Sequence, residues 1–130
     1  MSSNDRELPD ESGVLLSMYD ERSFSRDAMA RFPDLRTSLE PHNGLLHVQM
    51  SVLGRALLDA LRSREMAPAL DIFQFLDAVL QHPRAIGEIP NAVSLSFVTA
   101  DEILAAPEGE KLLPLMPEAV RNCLSENNPS

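Results

Sequence analysis

Residues 87–102 read GEIPNAVSLSFVTADE, and this stretch decides the fold class. At a spacing of two, Val93, Leu95 and Phe97 would line one face of a strand. At 3.6, Ile89, Val93 and Phe97 would line one side of a helix. Two observations choose the helix. Thr99 to Glu102 has the form of a capping box, with Thr99 at the N-cap and Glu102 at the third helical position. Val98 and Ile103 are placed around it as a hydrophobic staple. A helix therefore starts at Thr99, and the residues before it form an element of their own. No other segment alternates convincingly, so a strand here would have no partner for its backbone donors and acceptors. Pro90 suits the first turn of a helix beginning near Ile89, and Ile86, Ile89, Val93 and Phe97 are then spaced 3, 4 and 4.

Working outward, the preceding segments carry helical patterns too. In GLLHVQMSVLGRALLDALRSRE, Leu46, Met50, Leu53, Leu57 and Leu61 form one continuous stripe, with Asn43 as the expected N-cap. Gln49, Arg55, Asp59 and Arg62 are expected opposite, Arg55 and Asp59 as an i,i+4 pair. Gly54 sits inside this helix, where it costs roughly 1 kcal/mol relative to Ala, and its expected use is a close approach by a neighbour. The next pattern, APALDIFQFLDAVLQHP, has Pro68 in its first turn and Pro83 at its end. Leu70, Ile72, Phe73, Phe75, Leu76, Val79 and Leu80 cover most of its circumference, leaving Asp71, Gln74, Asp77 and Gln81 as a narrow polar strip. Such a helix is central. Nearer the start, Leu15, Leu16 and Tyr19 can share a face, Ser25 can cap RDAMARF, and Pro33 closes that element. Asp34 to Glu40 adds a turn or two before Pro41. After DEILAA and a Pro- and Gly-broken stretch, a last helix runs from Pro117 to about Leu124, with Ala119, Val120, Cys123 and Leu124 inward.

The expected fold is all-α: a single-domain helical bundle over residues 13–124, with three or four main helices and short accessory ones. Residues 1–12 and 125–130 are polar and expected to be disordered. The chain's 130 residues suffice for one real core. Leu, Ala and Met dominate its apolar residues, aromatics are 5% and Trp is absent, a balance that favours packed helices over a β-sandwich.

Acids outnumber bases 20 to 11, for a net charge of −9. That field repels phosphate, which argues against nucleic acid or an anionic membrane as partner, and it permits fast association with a basic protein. The lone Cys123 excludes an intramolecular disulfide and a cysteine zinc site, and fits a reducing cytoplasm. The opening MSSNDRELPDESG has neither the positive nor the apolar part of a signal peptide.

Catalytic and metal-binding patterns find little support. His42 and His47 are five apart across a helix start, and His82 precedes a proline, so the i,i+4 pair of a helical metal site is missing. Cys123 on a core face suits an inert thiol. No Gly-x-Ser-x-Gly turn or Gly-rich phosphate loop occurs. Adjacent carboxylates such as Asp20–Glu21 and Asp101–Glu102 point in different directions on a helix and make poor acid/base dyads. The expectation is a protein with no catalytic residues, cofactor or metal.

Charge placement says more. Residues 1–65 hold 11 acids and 8 bases, whereas residues 66–130 hold 9 and 3. Asp101, Glu102, Glu108 and Glu110 fall within ten residues. Asp101 and Glu102 have an ordinary use at a helix start, and the other two in solvation. Their functional reading is an acidic docking face for a basic protein.

From LLHVQMSVLGRALLDAL through FQFLDAVL to IPNAVSLSFV, about half the chain resembles a family of small, uncharacterised bacterial helical proteins. The resemblance rests on His47, Gln49 and Met50, then Phe73, Phe75 and Leu76, then Asn91, Ala92, Ser96 and Phe97. Such proteins resemble, in size and setting, the immunity proteins of bacterial toxin systems, including contact-dependent inhibition. The resemblance implies a helical fold and a non-catalytic function: binding and blocking a cognate toxin, a nuclease being one candidate because its groove must be basic. The alternative is an adaptor or regulatory subunit using an apolar groove between helices.

Overall fold

In a computed structural model of the protein, residues 18–126 are described. Helix α1 (Glu21–Arg31) is followed by a 3-10 turn (Pro33–Leu35), the short α2 (Arg36–Leu39) and a second 3-10 turn (Glu40–His42). The long helices α3 (Leu46–Arg62) and α4 (Met66–Leu80) come next, then α5 (Glu88–Ser96). The chain ends in the short α6 (Ala100–Ala105) and α7 (Gly109–Leu112), a 3-10 turn (Leu113–Leu115) and α8 (Glu118–Glu126). The fold is all-α and single-domain. Among the described residues, β pairing is limited to an isolated bridge between Tyr19 and Ala85, and no helix is long and apolar enough to cross a membrane. Leu15, Leu16 and the polar segments 1–12 and 127–130 lie outside the described residues, while the backbone of 125 and 126 continues α8.

The deciding stretch is helical, and its burial says why. Ile89, Ala92 and Val93 are fully buried and Phe97 nearly so, while Leu95 stays 60% exposed. A strand would have buried Leu95 beside Val93 and Phe97. The capping box forms as expected: Glu102 N–H donates to Thr99 Oγ1 at 3.1 Å, and Thr99 N–H donates to Glu102 Oε1 at 2.9 Å. Val98 and Ile103, the staple pair, are both buried.

Four helices enclose the core: α3 packs on α4 and α5, and α8 packs on the same two from the other side. The α3 stripe of Leu46, Met50, Leu53, Leu57 and Leu61 is buried throughout. Gly54 has the expected use. A Cβ there would lie 2.6 Å from the Phe97 carbonyl oxygen and 3.0 Å from Val98 Cγ1, so the chain leaving α5 passes directly over it. Gly109 plays the same part at the start of α7, where a Cβ would collide with the Ile103 carbonyl. Helix α1 joins through aromatic contacts, with Phe24 and Phe32 both against Phe75 at centroid distances of 5.5 and 5.3 Å.

Four local expectations need correction. Asp20, not Ser25, caps α1: Ser23 N–H donates to Asp20 Oδ1 at 3.0 Å. Helix α3 starts at Leu46, so Asn43 does not cap it and instead ends the preceding 3-10 turn. Gln49 is fully buried and does not lie opposite the stripe. Its Nε2 donates to the Leu39 carbonyl at 2.8 Å and its Oε1 accepts from Ser25, whose Oγ accepts the Gly44 N–H at 2.9 Å. The α1–α2 segment folds over that flank of α3, so a polar hub holds four parts of the chain together there. The expected Arg55–Asp59 pair gives way to Arg62–Asp59 at 2.6 Å, three residues apart.

Candidate functional site

Each acid of the expected docking face has a definite setting. Glu102 is held by the Thr99 cap. Glu108 sits between α6 and α7 with φ at 64°, its carboxylate 3.1 Å from both Lys111 Nζ and Arg64 Nη1. The hydrogen bond and charge of Lys111, with Arg64 beside it, hold its pKa below the ordinary 4.5. Glu108 is thus a neutralised link between the α3–α4 turn and the α6–α7 turn. Asp101 and Glu110 are exposed and make no salt bridge among the described residues. Of the four, only Glu108 is neutralised by salt bridges among the described residues.

A second cluster escaped the sequence reading. His47, in the first turn of α3, reaches both ends of α5: Nδ1 lies 2.7 Å from Ser96 Oγ and Nε2 lies 2.5 Å from Glu88 Oε2. Asn91 Nδ2 donates to the same carboxylate oxygen at 3.2 Å. The His47 and Asn91 hydrogen bonds hold the Glu88 pKa below its ordinary 4.5. The order Ser–His–carboxylate has the composition of a hydrolytic triad. Its placement is wrong for one. Ser96 is the last residue of α5, where helix carbonyls converge and the dipole is negative, and its own carbonyl accepts from Ser51 Oγ at 3.0 Å. The oxyanion of an acyl transfer forms on the substrate's carbonyl oxygen, and the negative end of a helix dipole beside the nucleophile disfavours it. The cluster reads as a latch between α3 and α5. Forty-one and forty-nine residues separate His47 from its partners, so no local spacing announces it.

The third feature is concave. An open groove of about 860 Å³ runs along α3 and α4 and is closed at one side by the 3-10 turn after α1. Phe32, Leu35, Ala56, Ala60, Leu70 and Ile72 contribute apolar surface. The rim carries four carboxylates, Asp34, Asp59, Glu65 and Asp71, against the guanidinium of Arg31. Arg31 is already bonded to Asp71, with Nε at 3.1 Å from Oδ1, and Asp59 to Arg62. Asp34 and Glu65 make no salt bridge among the described residues.

The remaining candidates are packed into the fold. His82 stacks on Tyr19 at 4.7 Å between ring centroids. Burial, followed by the hydrogen bond to Asp27, pushes the Tyr19 hydroxyl well above its usual pKa. Cys123 is buried. Among the described residues no three His, Cys, Asp or Glu side chains are gathered where a cation could be held. Comparison of the chain with protein-family models, curated proteins and solved structures finds no match.

Proposed function

We propose that this chain is a non-catalytic protein-binding protein, and specifically an immunity protein that neutralises a cognate bacterial toxin by covering it. The observation that carries the reading is the open, acid-rimmed groove on a strongly acidic protein. An open groove suits a macromolecular surface, whereas a small substrate is better held in a deeper pocket that buries most of it. A charge of −9 speeds encounter with a basic partner and opposes binding to nucleic acid. Exposed Leu45, Leu95, Leu104 and Leu115 add apolar surface outside the groove.

The test is co-expression with the C-terminal domain encoded by the gene immediately upstream. Restored growth and co-purification as a stoichiometric complex are expected. Growth arrest that persists with both proteins soluble would remove the inhibitor reading. A second reading, an adaptor of a bacterial protein complex, draws on the same groove between helices, and is favoured if the neighbouring genes encode complex subunits and no toxin.

A further inference from the structure

We infer that the α3–α4 groove seats a cationic amphipathic helix of the partner protein. This rests on the protein-binding reading and names the element recognised. The argument is one of shape and charge. The groove is open and runs along α3 and α4, so an amphipathic helix could lie along it with its apolar face inward. Two turns present apolar side chains at i, i+3, i+4 and i+7, which would lie on Ala56, Ala60 and Leu70. Asp34 and Glu65 both line the groove, and neither carboxylate is neutralised by a salt bridge among the described residues. Lys or Arg flanking the apolar stripe of the incoming helix would meet them, with charge setting the encounter rate and the apolar contacts the lifetime. An anionic or neutral helix would leave those two carboxylates uncompensated.

A defined probe tests this: a helical peptide of about 16 residues with Leu on one face and Lys elsewhere, beside a counterpart with Glu in place of Lys. Amide shift mapping should place the Lys peptide at Ala56, Ala60, Ala67 and Leu70, and the Glu peptide should bind at least about tenfold more weakly. Ala67 is exposed and lines the groove, so Ala67→Trp should fill it without unfolding the chain and weaken the Lys peptide about tenfold at unchanged net charge. Asp34→Lys with Glu65→Lys, both at exposed positions, should do the same. Circular dichroism verifies that each variant remains folded. Equal binding of the two peptides, shifts centred elsewhere, or an Ala67→Trp protein that binds as the wild type does would overturn the inference. In the growth assay, rescue that survives Ala67→Trp overturns the groove while leaving the inhibitor reading intact. A wild-type chain that rescues nothing yet holds the Lys peptide at Ala67 removes the inhibitor reading and keeps the groove.

Discussion

Gly54 illustrates what single residues do here. On propensity alone Gly54→Ala should stabilise α3 by roughly 1 kcal/mol. The Phe97 carbonyl at 2.6 Å from the new methyl, and Val98 beside it, reverse the sign. Overpacking against backbone costs about 1–3 kcal/mol and the net effect should be destabilising, read as a lower urea midpoint at an unchanged slope. The glycine's purpose was legible because a helix tolerates that cost only where a neighbour needs the space. Gln49 was not legible. A lone Gln beside an apolar stripe looks solvent-facing, and only the fold of α1 and α2 over it supplies Ser25 and Leu39 as partners. Gln49→Leu should orphan the Ser25 hydroxyl donor and the Leu39 carbonyl, costing about 1–3 kcal/mol by the same denaturation measurement.

At the scale of elements, what the sequence made plain was whatever depends on near neighbours: the α3 stripe, the Thr99 cap, the breaks at Pro83 and around Gly109. Thr99→Ala should lose about 1 kcal/mol and speed amide exchange in α6, because the Glu102 N–H loses its acceptor. Caps that compete were misread. Asp20 outranks Ser25 because the turn before α1 is anchored: Tyr19 N–H donates to the Arg84 carbonyl at 2.9 Å and Ile86 N–H to the Tyr19 carbonyl at 3.0 Å, which fixes where the helix starts. The α3–α5 latch and the groove lay beyond sequence reading altogether, since both are assembled from residues tens of positions apart. The expected acidic face was read from the clustering of acids and the scarcity of cations, which could not say that Arg64 reaches across to neutralise Glu108.

Two consequences belong to the whole molecule. Asp20, Glu88 and Glu108 all have pKa values held below their ordinary ones, by the Ser23 hydrogen bonds, by the His47 bond and by Lys111 respectively. A carboxylate depressed by folding contributes stability that is present above its unfolded pKa and lost as pH falls through its folded one. The melting temperature should therefore drop as pH falls below about 5 and through the depressed folded-state pKa values, and Glu88→Gln should shallow that drop while lowering the plateau at neutral pH. A protein of net charge −9 should also bind a basic partner more slowly as salt rises, the association rate falling far more than the dissociation rate changes.

The central proposal is that a basic protein binds at the α3–α4 groove. Hydrogen–deuterium exchange, with and without the upstream-encoded domain proposed as its partner, tests it most directly. New protection confined to residues 56–72 and the turn holding Asp34 is the expected result. Unchanged exchange there, with protection appearing instead across residues 100–112, would contradict it.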